Sequence, residues 1–220
     1  GPGAASYYNE LSYAGLVARR FRTNHHEIPV APDVIRLLPK LLWHVEEPIS
    51  DSAMVTTWLV SELAAGSVKV ILSGVGGDEL FGGYTRYLGE HYGRRYRRIP
   101  GWLRRGLLAP LAQRLPSGRQ NRVMDLARYA RRFIQAGELD WRGQYRHYLE
   151  ICTPPAVEGL LGSAPGANVF DGVLAQEQAD DPLLRLLRID ARTQLSEDLL
   201  LLTDKVTMAA SIECRVPFLD

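Results

Sequence analysis

A short apolar segment that leads directly into a glycine-rich turn constrains the fold of this 220-residue chain more than any other feature. Residues 68–72 (VKVIL) are rich in β-branched side chains, and this pattern predicts a strand. Residues 73–79 (SGVGGDE) follow, and their glycines permit positive φ angles and a close approach of the backbone to a ligand. In an open α/β sheet, ligands bind beyond the carboxyl ends of the strands. The segment therefore predicts an α/β fold with a ligand site in the turn.

The chemistry of the turn favours a nucleotide or a pyrophosphate. Successive backbone N–H groups in such a turn can surround anionic oxygens. Asp78 adds a carboxylate, and Mg²⁺ usually takes one or two carboxylates together with phosphate oxygens. The turn is not GxxxxGK(S/T), because no lysine follows, and it is not GxGxxG, because Glu79 stands at the last glycine position. A strand-to-helix turn with Asp78 as a cap explains the same residues, so this alternative stays open.

The rest of the chain shows helical periodicity with few strand signals. The patterns predict helices over residues 9–21, 33–45 and 53–65, a short strand over 25–30, and helical structure over 90–200 with loops at 154–155 and 162–166. The alternation of helices and strands in the first part favours a parallel sheet. We therefore expect an α/β part over residues 4–89, a mainly helical part over 90–220, and a cloning scar or loop remnant at 1–3.

Composition and cysteine usage narrow the class further. Hydrophobic residues make up 46% of the chain, and 26 Lys and Arg balance 25 Asp and Glu, which is ordinary for a globular protein and excludes collagen-like, coiled-coil and disordered classes. The longest apolar runs are far shorter than the roughly 20 residues of a membrane span, and neither a signal peptide nor a membrane partner is expected. Cys152 and Cys214 form no CxxC, which favours a reducing cytoplasm over a disulfide framework.

A basic block raises the question of a polyanion partner. Residues 86–132 hold thirteen arginines and only two acids. The whole chain has 23 arginines and 3 lysines, which indicates a coding bias, and the block is expected to pair with acidic residues in the fold. No RNA-binding motif accompanies it, so a nucleic-acid partner is not expected.

Four segments together resemble the asparagine synthetase family. Residues 70–84 (VILSGVGGDELFGGY) resemble the central motif of the family. Three further segments agree in order: the region from Tyr8 to Glu27, residues 46–51 with Glu46, Glu47, Pro48 and Asp51, and residues 199–220 (LLLLTDKVTMAASIECRVPFLD). The matches extend over nearly the whole chain.

The resemblance implies a fold, a reaction and a set of site residues. The fold would be a partial parallel sheet of the adenine nucleotide alpha-hydrolase-like (ATP pyrophosphatase) type. With ATP and Mg²⁺ as cofactors, the family adenylates the side-chain carboxyl of aspartate, and ammonia from a glutaminase domain displaces AMP to give asparagine. Ser73, Gly74, Gly76 and Gly77 would bind ATP and its pyrophosphate, and Asp78 would bind Mg²⁺.

Departures from the family pattern leave the catalytic residue and the acceptor open. Many asparagine synthetases carry glutamate where this chain has Val75, and valine cannot accept a proton. The SGGxDS pyrophosphate loop, the basic residues beyond Asp220 and the leading glutaminase cysteine are not in the sequence. We therefore expect a fragment that alone does not make asparagine. The alternatives are an amide- or lactam-forming relative that acts on another carboxylate, and a catalytically inactive domain.

Other polar groups have simpler interpretations. We expect a structural role for His25 and His26, a helix end at Glu46 and Glu47, a phosphate contact or a solvated charge at Lys205, a buried ion pair between Glu213 and Arg215, and a packed thiol at Cys214. A cyclase-type GGDE hairpin is disfavoured, because residues 81–84 do not alternate as a strand would. Homo-oligomer formation stays open.

Overall fold

The computed structural model describes residues 11–27, 33–47, 49, 51–115, 122–163 and 169–220. The chain divides into two compact units. Unit 1 comprises Gly1–Glu27 and Thr85–Asn168, and unit 2 comprises Ile28–Tyr84 and Val169–Asp220. No helix within the described ranges has both the length and the apolar character needed to cross a bilayer.

The described residues are mostly helical. The helices, in chain order, are α1 (Leu11–Phe21), α2 (Val34–Val45), α3 (Ala53–Ala65), α4 (Gly77–Phe81), α5 (Thr85–Arg97), α6 (Gly101–Leu103), α7 (Ala109–Gln113), α8 (Arg122–Ala136), α9 (Trp141–Leu149), α10 (Pro154–Leu161), α11 (Val169–Gln176), α12 (Pro182–Asp190) and α13 (Leu201–Ala209). Two wide-turn π segments, Arg104–Leu108 and Ala191–Leu200, join α6 to α7 and α12 to α13.

Two short strands form a parallel sheet in unit 2. Strand β1 (Val70–Leu72) pairs with β2 (Glu213–Arg215), and Ile71 lies opposite Cys214. A 3₁₀ turn, Pro217–Leu219, follows β2. The α/β class and the parallel pairing predicted from the sequence are confirmed, and the sheet is small.

Within the described residues, the sequence predictions for local structure hold with two exceptions, and residues 9–10 of the first predicted helix and 164–166 of the predicted loop lie outside those residues. Helices α1, α2 and α3 match the predicted segments where the structure describes them, and Asp33 caps α2 by accepting from the Arg36 N–H at 3.3 Å. The described part of 90–200 contains no strand. The predicted strand at 25–30 is wrong at residues 25–27, and residues 28–30 lie outside the described ranges. The predicted loop at 154–155 is also wrong, because Pro154 begins α10, where a missing N–H costs no helical hydrogen bond.

The hydrophobic core of unit 2 holds the sheet and its turns in place. Helices α2, α3 and α13 pack against one another. Their core residues are Leu41, Val45, Met54, Val55, Trp58, Leu202 and Val206. Each such large side chain contributes about 1.5–3 kcal/mol when it leaves water. Since β2 follows α13 directly, this core also fixes the position of β2.

Some arginines of the basic block in unit 1 are paired with local acids. Arg104 and Arg105 both pair with Glu138, the latter at 3.1 Å. Arg128 lies 2.7 Å from Asp125. For these three arginines, the prediction that the basic block pairs with acidic residues in the fold is confirmed.

Candidate functional site

The carboxyl ends of the two strands meet at one edge of the sheet in unit 2. Because β1 and β2 are parallel, the turn after Leu72 and the segment after Arg215 leave from the same edge. The Ser73 N–H extends the ladder by donating to the Arg215 carbonyl at 2.9 Å. The sequence-predicted turn therefore lies at the position where open α/β sheets bind ligands.

Internal hydrogen bonds shape the turn between Ser73 and α4. The Ser73 hydroxyl accepts from the Val75 N–H at 3.3 Å, and the Gly74 carbonyl accepts from the Gly77 N–H at 3.1 Å. Gly76 has φ of 90°, in the left-handed region, and its carbonyl accepts from the Leu80 N–H at 3.0 Å. Glycine at position 76 is thus required by the backbone that starts α4.

Asp78, the predicted metal ligand, is exposed on α4. Its Oδ1 atom lies only 1.9 Å from where a Cβ on Gly83 would stand, so the carboxylate occupies space that the missing side chain of Gly83 leaves open. The carbonyl of Asp78 accepts from the Gly82 and Gly83 N–H groups at 2.9 and 3.0 Å. The chain thus folds back around Asp78 and orients its carboxylate while leaving it accessible.

The glycines of the turn are not equivalent. A Cβ on Gly74 would meet nothing within 4 Å, whereas a Cβ on Gly76 would lie 2.6 Å from the Leu219 side chain and one on Gly77 would lie 3.6 Å from Phe218. Gly74 therefore faces open space, and the 3₁₀ turn covers the side of Gly76 and Gly77.

Gly76→Ala is expected to lower the free energy of unfolding by about 2 kcal/mol, because alanine meets both an unfavourable left-handed φ and the Leu219 side chain. Urea denaturation measures this change. The matched control is Gly74→Ala, which adds the same methyl group in open space and should leave stability within about 0.5 kcal/mol of the wild type. Equal stability losses in the two variants would refute this explanation of Gly76.

A buried carboxylate that the sequence did not indicate as part of the site lies next to Asp78 in the chain. Glu79 is only 2% exposed and accepts a hydrogen bond from the Tyr84 hydroxyl. Its helix, α4, packs on α12 and on the π segment Ala191–Leu200. No spacing rule identifies Glu79, because its burial depends on elements more than 100 residues away in the chain.

Lys205 lies beside Glu46 rather than alone on its helix. Its ammonium group donates to the Glu46 carboxylate, across 159 residues of sequence. Glu46 ends α2 in the left-handed conformation, so the predicted helix end is confirmed. The hydrogen bond and the charge of Lys205 lower the pKa of Glu46, and the same contacts from Glu46 raise the pKa of Lys205.

These two pKa shifts predict a pH dependence. Because the pKa of Glu46 is lowered in the folded chain, this group stabilises the fold at pH values above 4.5, the ordinary pKa of glutamate. That stabilisation is lost as the pH falls through the lowered pKa of the folded chain. Because the pKa of Lys205 is raised in the folded chain, this group stabilises the fold at pH values below 10.5, the ordinary pKa of lysine. That stabilisation is lost as the pH rises through the raised pKa of the folded chain. In Lys205→Met, the pKa of Glu46 should return toward 4.5 in a carboxyl NMR titration. Lys69→Met is the matched control; the prediction is wrong if both variants leave Glu46 unchanged.

Asp198, in the π segment Ala191–Leu200, is a second acid that sequence reasoning missed. Its Oδ1 atom is buried and has no hydrogen-bond partner among the described residues. Burial, and next the negative charge of Asp51, raise the pKa of Asp198. Asp51 itself accepts from the Ala53 N–H at 2.8 Å. An unpaired buried carboxylate oxygen is uncommon and is suited to hold a proton or to meet a polar ligand group.

The other predicted polar groups have structural partners. Glu213 and Arg215 form the expected ion pair at 2.8 Å, but both side chains are more than half exposed, so the prediction of burial is wrong. Cys214 is half-buried, and burial raises the pKa of its thiol despite a hydrogen bond with Ser73.

The histidine pair shows one local contact. His25 Nε2 lies 2.9 Å from the Glu27 carboxylate. Within the described ranges, no three His, Cys, Asp or Glu side chains are grouped as ligands for a metal ion. Any Mg²⁺ at Asp78 would therefore need ligand oxygens from a bound phosphate or from water.

The sequence model of the family described as asparagine synthase matches residues 3–220. A putative glutamine-hydrolysing asparagine synthetase of Mycobacterium bovis is 32% identical over 97% of this chain and 32% of its own length. The glutamine-hydrolysing asparagine synthetase 1 of Bacillus subtilis is 30% identical over 83% of this chain and 28% of its own length. No solved structure gives a significant match.

The family match defines the class of protein. The chain belongs to the asparagine synthase family, a family of enzymes that make asparagine. It spans about a third of the length of the curated relatives that it matches.

Proposed function

We propose that this chain carries the nucleotide site of an ATP-dependent ligase that adenylates the side-chain carboxyl of aspartate and then transfers ammonia to it. In this proposal the small parallel sheet belongs to an ATP-pyrophosphatase-type fold. Ammonia comes from glutamine through a glutaminase domain, and the enzyme works in the cytoplasm. The observation that carries the proposal is the combination, at the carboxyl edge of β1, of an open Gly74 and an exposed, oriented Asp78.

Each residue of the turn has a role in this proposal. The backbone at Ser73 and Gly74 approaches the phosphates of ATP, because the open side of Gly74 leaves room for them. Gly76 and Gly77 give the turn its shape and bring its N–H groups toward the anionic oxygens. Asp78 supplies the protein carboxylate for Mg²⁺. The ion neutralises charge on the pyrophosphate when it is bound.

The remaining chemistry is mainly positioning. A carboxylate is a poor acyl donor, and AMP is a far better leaving group than hydroxide, so the ligase must hold the carboxyl group against the α-phosphate. Glu79 and Tyr84 touch no substrate in this scheme, and their partly buried hydrogen bond fixes the helix that carries Asp78.

The test uses the complete natural gene product with ATP, Mg²⁺, ammonium and L-aspartate. We expect AMP and asparagine to form in equal amounts, as measured by chromatography, and no AMP to form without aspartate. Release of ADP and phosphate would contradict adenylation, because it indicates a phosphorylated carboxyl group instead.

Val75 keeps a second candidate function open. It is half-buried in the turn and cannot accept a proton, although many family members have glutamate at this position. An amide- or lactam-forming relative would use another carboxylate in place of aspartate. AMP formation that depends on a different carboxylic acid, and not on aspartate, identifies this alternative, and the absence of AMP formation with all tested acids identifies an inactive domain.

A further inference from the structure

A cavity in unit 1 lies outside everything that the ligase proposal uses. It has a volume of about 460 Å³, opens to solvent and is lined by residues of α5, α8 and α9. This is within the range of about 300 to 1,000 Å³ that is typical of small-molecule sites. The apolar part of its wall is formed by Leu88, Tyr92, Leu126, Tyr129, Ala130 and Phe133.

The apolar residues of this cavity face solvent. Leu126 is 69% exposed, Leu88 58%, and Tyr92 and Tyr129 about half. Helices usually bury leucine and tyrosine side chains against a core, so a group of them exposed in one place is unusual. A concave aromatic surface of this kind provides contact area for an apolar ligand.

The charged groups that line the cavity are all positive. Arg86 and Arg132 belong to its wall, and no acidic residue does. The Arg132 guanidinium donates one hydrogen bond, from Nη2 to the Glu150 carbonyl at 2.9 Å. A guanidinium has five N–H donors, so Arg132 keeps donors with no acceptor among the described residues. A ligand of this cavity is therefore expected to be an anion.

The hydroxyl of Tyr148, on the cavity wall, accepts a hydrogen bond from the protein and keeps its own proton free to donate. Arg97 can only donate, so the Gln144 oxygen faces it, at 3.3 Å from Nη1. The Gln144 amide nitrogen must then donate to the Tyr148 oxygen, at 3.1 Å. Tyr148 therefore accepts from the protein and retains its own O–H as a donor, for which no described residue is the acceptor. Burial raises the pKa of Tyr148, so the hydroxyl stays protonated at neutral pH.

Gly89 makes room for this hydroxyl. A Cβ on Gly89 would lie 2.6 Å from the Tyr148 oxygen, and both residues line the cavity. The hydroxyl is thus held against the helix backbone at the wall, with its direction set by the buried Gln144, which is 1% exposed.

We propose that this cavity binds a small amphipathic carboxylic acid, in which an apolar or aromatic chain ends in a carboxylate. The chain packs on the Leu and aromatic side chains, and the carboxylate accepts from Tyr148 and pairs with Arg132. The proposal does not depend on the ligase activity, because it rests only on residues of unit 1.

The test is an NMR titration of the ¹⁵N-labelled 220-residue chain with 4-phenylbutyrate, followed at the amides of α5 and α9. We expect saturable shifts at Gly89 and Tyr148, and binding at least tenfold weaker for 4-phenylbutan-1-ol, which lacks the charge. Tyr148→Phe, which keeps the ring, should weaken the acid about tenfold, as expected for one hydrogen bond to a charged group.

A second pair of variants keeps the test decisive. Leu126→Asp places a negative charge in an exposed wall position and should abolish binding of the acid. Leu160→Asp makes the same change on α10 at an 82% exposed site outside the cavity and should bind like the wild type. The proposal is overturned if the wild type does not bind the acid, if acid and alcohol bind equally, or if both cavity variants bind like the wild type. It is also overturned if sedimentation shows a wild-type dimer that Leu126→Asp disrupts, because a second copy of the chain would then fill the cavity.

Discussion

Replacement of Asp78 by asparagine is expected to remove the Mg²⁺-dependent part of ATP binding and to lower AMP formation by about 100-fold. The substitution keeps the size of the side chain and removes its charge. Asp78 is exposed at the edge where the strands end, and among the described residues no other acid completes a metal-ligand group there. The loss should therefore appear in a titration with ATP and Mg²⁺ and be absent in a titration with ATP and a chelator.

Asp180→Asn provides the matched control for Asp78→Asn. Asp180 is an exposed acid of the same unit, in the loop before α12. The Asp180→Asn variant should bind ATP and form AMP like the wild type. If Asp78→Asn also retains metal-dependent activity, Asp78 does not belong to the metal site.

Gly83→Ala is expected to weaken Mg²⁺–ATP binding by tenfold or more, although residue 83 itself touches no phosphate in the proposed site. The new Cβ would stand 1.9 Å from the Asp78 Oδ1 atom, so the carboxylate must turn away. The Cβ would also lie 2.8 Å from the Asp78 Cγ atom and 3.3 Å from its Cα atom, so the whole side chain must change its rotamer. Because Asp78 is exposed, this rearrangement should cost little stability, and the melting temperature should change little. A large functional loss with a small stability loss is the signature of a positioning effect.

The control for Gly83→Ala is Gly172→Ala. A Cβ on Gly172 meets nothing within 4 Å, and the residue lies in helix α11 of the same unit. This variant should bind ATP normally and be slightly more stable, since alanine favours a helix. Equal ATP affinities for the wild type and Gly83→Ala would show that the orientation of Asp78 against Gly83 is not needed.

The regular elements of unit 2 could be predicted from the sequence because their apolar positions repeat. Helix α2 carries leucines and valines at a period of 3.6, and β1 is an apolar, mainly β-branched run that the glycine-rich turn follows. The parallel sheet followed from the alternation of helices with strands. Strand β2 has three residues and alternates too briefly to identify its partner or register, which depend on how α13 packs.

The support of the site could not be predicted in the same way. Glu79 and Asp198 are acids in helical segments, and only tertiary packing makes one buried and leaves the other with an unpaired oxygen. Gly83 resembles any turn glycine until the position of the Asp78 carboxylate is known. The sequence predicts a loop at Pro154 because proline pairs commonly mark turns, yet proline is well accommodated in the first turn of a helix.

An NMR titration of the ¹⁵N-labelled chain with ATP at millimolar concentration, with and without Mg²⁺, examines the nucleotide site directly. The amides of Ser73, Gly74 and Asp78 should shift with Mg²⁺–ATP, shift much less with ATP and a chelator, and stay unchanged in Asp78→Asn. Shifts confined to other parts of unit 2, or equal shifts with and without the metal, would contradict a magnesium-dependent ATP site in this turn.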